Sequence, residues 1–222
     1  MLISILGMDF DFPQLMMAIS GFLAAIMIAI VFHEWAHAWA AYKSGDPTAK
    51  MMKRMTLNPA RHLEPMGMLA FLLIGIGWAK PVPVNPFNYR NFRRGNFFVS
   101  IAGVTVNFII GFVASLGFVL IETYGNLGNI WVWGIGMFFM FTMIINISLM
   151  IFNLLPIPPL DGYNLLVSFT KPNNRYMRWA RENAMFLLLA VLLISMFTGA
   201  IAGLRNVIVD GFTAFWGLFF GN

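Results

Sequence analysis

The sequence predicts an all-α, polytopic transmembrane helical bundle of about five to six membrane segments, with a re-entrant, partly extended segment near its centre. Three observations predict it. Of 222 residues, 59% are hydrophobic and 10% charged, whereas roughly a quarter of the residues of soluble domains are charged. Several apolar runs reach the roughly 20 residues that a helix needs to cross about 30 Å of hydrocarbon. The Lys and Arg residues, 14 in all, lie between these runs: all but Arg205 fall in two stretches, 43–94 and 171–181. Basic residues gathered in this way follow the positive-inside pattern, so both stretches are expected in the cytoplasm. The net charge of +5 then reflects topology and contact with membrane lipid, and no nucleic-acid partner is expected. One domain over 1–222 is expected, with a core at about 13–169 and C-terminal helices at about 183–220.

Each element follows from the same rules. Residues 1–12 read as a short outer interfacial segment; Asp9 and Asp11 stand where a cleavable signal would be positive, so none is expected. Pro13 to about Tyr42 is a helix of spanning length. Ser44-Gly45-Asp46-Pro47 is a turn by composition. Met66 to Trp78 is too short to span and has positive flanks on both sides, so it enters and returns on one face. Gly75 and Gly77 permit the tight turn this requires. The following Ala79-Lys80-Pro81-Val82-Pro83-Val84-Asn85 alternates proline with valine, which suits an extended edge and not a helix.

Phe97 to about Ile121 regains spanning length, and the loop Glu122–Asn129 carries no Lys or Arg, as an outer loop should. Trp131 and Trp133 mark an interfacial belt, and the next span returns through Phe152. In Asn153-Leu154-Leu155-Pro156-Ile157-Pro158-Pro159-Leu160-Asp161-Gly162 three prolines make a rigid break that carries one aspartate to membrane depth. A short helix from Gly162 to Phe169, the second basic loop and a span from Met185 to about Phe197 follow. Ile201–Phe220, interrupted by Arg205 and Asp210, is either a final span or an interfacial helix.

The chemistry centres on His33-Glu34-Trp35-Ala36-His37. Histidines four apart share one helix face, where they can hold Zn²⁺, and the glutamate between them can take a proton from water and return it. If Lys43 marks the boundary, a rise of about 1.5 Å per residue puts His37 about 9 Å and His33 about 15 Å inside the membrane. The chain has no cysteine, so a third ligand must be a carboxylate. Asp161 is preferred, since the other carboxylates lie in or beside polar or interfacial stretches; the alternative is that it caps the following helix. His62 reads as a hydrated loop histidine. Asn107 is either a helix–helix hydrogen bonder or a donor to a substrate oxygen. Asn153 either satisfies backbone freed by the prolines or binds substrate backbone. The same ligands would suit a divalent-ion transporter or an inactive protease-like scaffold. Transport is disfavoured because Met16–Phe32 offers only Ser20 as a polar lining.

HEWAH in a first long span, GIGWAKPVPVN in a short re-entrant stretch and NLLPIPPLDG after a later span together resemble the site-2 protease family of intramembrane zinc metalloproteases, peptidase family M50. The likeness covers about Phe32 to Phe169. It implies one Zn²⁺ per chain on His33, His37 and Asp161, with Glu34 activating water. It also implies that Asn153 and the extended segment near Gly77 help hold a transmembrane protein substrate. A prokaryotic plasma membrane is expected, with the active site nearer the cytoplasmic side, as the basic stretches indicate. A minimal form without PDZ or CBS domains is expected. Ala102-Gly103-Val104 stands where members commonly have Ala-Gly-Pro, which bears on the bend of that span and on no catalytic group.

Overall fold

The computed structural model describes residues 10–74, 79–170 and 174–221. Among them the regular elements are all helical: α1 (Phe12–Ser44), α2 (Thr48–Met51), α3 (Pro65–Ile74), α4 (Phe92–Tyr124), α5 (Ile130–Asn153), α6 (Asp161–Phe169), α7 (Arg175–Glu182), α8 (Ala184–Thr198) and α9 (Ala200–Phe220). Short 3-10 turns occupy Pro59–Arg61 and Pro86–Asn88. The helix ends have local causes. Asp11 Oδ1 accepts the Gln14 N–H at 2.8 Å while Gln14 Oε1 accepts the Asp11 N–H at 3.1 Å, a capping box with Pro13 in the first turn. Asn91 and Asn129 cap α4 and α5 by accepting the Arg94 and Trp131 N–H groups.

Among the described residues three helices, α1, α4 and α5, are long and apolar enough to cross a membrane, and the α7–α8 pair, bent by 80°, adds a fourth if it counts as one span. This is fewer than the sequence led us to expect. The 15 residues of α8 are short of a span by themselves. In α9, 21 residues long, Arg205, Asn206 and Asp210 interrupt the apolar run. The short α7, which carries three arginines, is an element that the basic loop did not announce.

The core is built on α1. Ala18, Ala25 and Ala29 bring its backbone close to α5, where Phe22 and Ile26 pack with Phe141 and Ile145. Small residues at such a contact are what helices need to gain dispersion contact when lipid offers no hydrophobic drive. Contacts of His33 with Asn107 and His37 with Val99 run α4 antiparallel to α1. Helix α9 closes the α4–α5 seam, with Ile201, Ile208, Val209 and Phe212 against Val104, Ile147, Met150 and Ile151. Its Trp216 Nε1–H donates to Ser115 Oγ at 3.0 Å.

Beyond α1 the chain turns on Asp46, which is fully buried. Its carboxylate accepts the Asn85 N–H at 2.6 Å, the Asn88 side-chain amide at 2.8 Å, the Thr48 N–H at 3.1 Å and the Thr48 hydroxyl. This ties the proline-rich segment to the end of α1. Burial opposes ionisation, but the donors from Asn85, Thr48 and Asn88 outweigh it, so the carboxyl is held below its ordinary range. A carboxyl lowered in the folded state stabilises above its unfolded pKa, and the contribution disappears as pH falls through the folded value. Asp46→Ala is expected to cost about 1–3 kcal/mol at neutral pH by orphaning buried donors. Thermal unfolding in detergent should show the gap from wild type narrowing on acidification; a gap independent of pH would contradict this.

Candidate metal site

His33 and His37 lie one turn apart on α1, with ring centroids 4.6 Å apart and interplanar angle 80°. Asp161 approaches from the start of α6. Its Oδ2 is 3.3 Å from His33 Nε2 and 3.1 Å from His37 Nε2, and the two Nε2 atoms are 3.0 Å apart. This is the group of three metal-competent side chains found among the described residues. Asp161 is the first residue of α6, whose N-cap is Leu160, so the capping alternative for its carboxylate is not realised.

Two backbone features deliver these groups. The break 154–160 ends with Gly162 against the Leu154 and Leu155 carbonyls, where a Cβ would collide with backbone. Asp161 is thereby pressed toward α1. On α4, Gly103 faces both rings: a Cβ there would sit 2.5 Å from His37 Nε2 and 2.6 Å from His33 Nδ1. Sequence reasoning missed Gly103, having weighed the Ala-Gly-Val tripeptide only for helix bending.

The donor chemistry fits a metal ion. Val99 O lies 2.7 Å from His37 Nδ1 and can only accept, so that nitrogen carries the ring proton and Nε2 presents a lone pair. Among the described residues Asp161 Oδ2 is buried with no hydrogen-bond partner, its nearest polar neighbours being the two imidazole Nε2 atoms. A bare carboxylate oxygen beside imidazole lone pairs is repulsive unless positive charge sits among them. Tetrahedral zinc with bonds of about 2.0–2.1 Å sets neighbouring donors about 3.3 Å apart. The observed separations of 3.0–3.3 Å are close to that.

Glu34 faces a different neighbour. Its Oε2 accepts the Val82 N–H at 2.7 Å, which fastens the segment 79–85 alongside the HEWAH turn. That segment forms neither helix nor strand, in keeping with its prolines. It pairs with no strand among the described residues, and its donors go to single groups: Lys80 N–H to His62 O at 2.9 Å and Asn85 N–H to Asp46. Arg54, buried, donates through Nη2 to Lys80 O at 2.7 Å and to Pro81 O at 3.3 Å. His62 is fully buried, with Nε2 2.7 Å from Thr56 O, which corrects its reading as a hydrated loop residue. The sequence showed Arg54, Asp46 and His62 only as members of a polar loop; nothing in the loop's composition separates a buried charge from a solvated one.

The remaining expected residues are dispersed. Asn107 Oδ1 lies 3.0 Å from His33 Nδ1. Asn153 Nδ2 donates to Leu149 O at 3.0 Å, one turn back on its own helix α5. Gly75 and Gly77 lie outside the described residues.

A bundle of apolar spans enclosing the two histidines of an H-E-x-x-H helix and a carboxylate from a second helix defines a membrane metallopeptidase. Comparison with known proteins gives the particular group. The profile of peptidase family M50 matches residues 116–197. The "Putative zinc metalloprotease YwhC" of Bacillus subtilis is 39% identical over 171 residues, covering 77% of this chain and 78% of that protein. The Rip2 proteins, named in the same terms, are similar at lower identity. That of Mycolicibacterium smegmatis is 28% identical, over 78% of this chain and 66% of its own length. That of Mycobacterium tuberculosis strain H37Rv is 29% identical, over 85% and 72%. No solved structure gives a significant match. The chain is a metalloprotease and belongs to peptidase family M50.

Gly103→Ala is expected to push both imidazoles off their present positions. Purified protein should then retain helix content by circular dichroism but lose most bound divalent metal by elemental analysis. Metal retention at the wild-type level would show that the rings do not depend on this contact.

Proposed function

We propose that the protein is an intramembrane zinc metalloprotease that hydrolyses a peptide bond in or near a transmembrane segment of a membrane protein. The reading is carried by one observation: His33 Nε2, His37 Nε2 and Asp161 Oδ2 meet within 3.0–3.3 Å inside a helical bundle, in a chain of family M50. One zinc ion per chain would be held by these three atoms. When bound, zinc supplies Lewis-acid polarisation of the scissile carbonyl and lowers the pKa of water at the site to about 7.

The chain's own groups do the rest. His37 is oriented by its Nδ1–H bond to Val99 O, which keeps Nε2 free as a ligand atom. Glu34 is the general base and then the general acid. Its Oε2 is engaged by Val82 N–H, so Oε1 is the oxygen left to take the proton of the attacking water and pass it to the leaving amine. A helical peptide bond is shielded by its own hydrogen bonds, so the substrate must unwind before it can react. The extended 79–85 segment beside Glu34 suits strand addition by such an unwound stretch. Asn153, with Gly75 and Gly77, belongs to this substrate-holding part on the strength of the motif resemblance.

The two basic stretches support a cytoplasmic position for the HEWAH end of α1 in a multi-pass protein. Relatives from bacteria support a prokaryotic plasma membrane.

Glu34→Gln is expected to keep zinc and lower cleavage of a reconstituted membrane-spanning substrate about 10²–10⁴-fold. Cleavage at the wild-type rate would remove Glu34 as the base. Asp161→Ala should lose stoichiometric zinc, measured on the purified protein; full retention would exclude it as the third ligand.

A further inference from the structure

Asn107 is fully buried at the middle of α4, between apolar helices. Its Oδ1 is 3.0 Å from His33 Nδ1. Its Nδ2 is buried with no hydrogen-bond partner among the described residues. An amide that only joined two helices would be a poor choice here, since it leaves one donor unsatisfied in an apolar interior. The acceptor oxygen is the part being used.

The register of α4 gives that oxygen a purpose. Val99, Gly103 and Asn107 recur every four residues and so lie on one face of α4, and all three meet the two histidines. Val99 O receives the His37 Nδ1–H, Gly103 leaves room for both rings, and Asn107 Oδ1 stands where His33 Nδ1 needs an acceptor. For His37 the acceptor is backbone, which no side-chain change can remove. For His33 it is a side chain.

We propose that Asn107 is a positioning residue that holds His33 in the Nδ1–H tautomer, so that its Nε2 lone pair joins those of His37 and Asp161. A neutral imidazole has one ring proton, and a proton on Nε2 would occupy the ligand lone pair. Without an acceptor at Nδ1, a buried N–H is left unpaired there, and the tautomer with the proton on Nε2 gains population. The carbonyl oxygen of Asn107 makes the Nδ1–H form the favoured one and also fixes the ring plane. Outer partners of this kind typically alter metal affinity 10–100-fold. The proposal rests on His33 being a metal ligand and not on what the metalloprotease cleaves.

The test compares wild type, Asn107→Leu and Asn107→Asp, each purified whole in detergent. Leucine keeps the volume and removes the acceptor; aspartate keeps an acceptor. Zinc affinity by chelator competition is expected to fall about 10–100-fold in Asn107→Leu and to recover in Asn107→Asp. With three histidines in the chain, labelled-histidine NMR of the zinc-loaded protein can follow each ring. Wild type should show hydrogen-bonded Nδ1–H protons for His33 and His37, and Asn107→Leu should lose only that of His33. Zinc affinity within twofold of wild type in Asn107→Leu, or failure of aspartate to restore it, would overturn the proposal. So would a zinc-loaded wild type lacking the His33 Nδ1–H resonance, a result that stands even if the leucine variant does not fold. Normal zinc binding with the expected tautomers but no cleavage of any membrane-spanning substrate would count against the proteolytic reading alone.

Discussion

Two imidazole nitrogens and a carboxylate oxygen directed at one point inside an apolar bundle is an unfavourable arrangement unless a cation shares the space, and much of this molecule is organised around it. The point is defined by α1 and α6, and His33 Nε2, His37 Nε2 and Asp161 Oδ2 are separated by 3.0–3.3 Å. In water such groups would be screened and solvated singly. In a helical bundle with a largely apolar interior, their lone pairs are poorly solvated. The same burial that makes the cluster costly alone makes it selective for positive charge.

Holding three donors at such distances demands rigid neighbours, and they come from backbone features more than from side-chain bulk. Helix α4 contributes the Val99 carbonyl, the missing side chain of Gly103 and the amide oxygen of Asn107 along a single face. The proline break before Asp161 cannot relax into helix, and Gly162 lets it press against the Leu154 and Leu155 carbonyls. The small residues of α1 serve both ends of this design. They let α5 approach closely in the N-terminal half, around Ala25 and Ala29, and leave room for the 79–85 segment in the C-terminal half, where Val82 packs on Ala38.

The 79–85 segment is the second dependent feature. Prolines at 81 and 83 remove donors, and three that remain near them are matched to particular acceptors: Lys80 N–H to His62 O, Val82 N–H to Glu34, Asn85 N–H to Asp46. Arg54 holds its carbonyls from the other side. A single stretch of chain therefore links the buried polar corner at Asp46 to the carboxylate of the H-E-x-x-H motif. The donors at this corner favour the ionised form of Asp46, so the link is strongest while the carboxylate is charged.

The sequence by itself determined the class of fold, the position of the long helices and the motif residues. Hydropathy over spanning lengths, the gathering of Lys and Arg, and a four-residue histidine spacing are local properties that need no partner to be read. Spans expected at 13–42 and 97–121 run in fact over Phe12–Ser44 and Phe92–Tyr124, polar or charged residues being carried on helix ends beyond the apolar run. What only the tertiary structure decided is which distant groups meet. That His62 and Arg54 are buried, that Gly103 lies over two imidazoles and that Asn107 faces His33 follow from the angle and register at which α4 and the polar loop pack on α1. Those depend on side-chain fit between segments more than sixty residues apart in the case of His33 and Asn107, whose separation is 74. No local pattern encodes that fit, because the energy that sets it exists only once both helices are in contact.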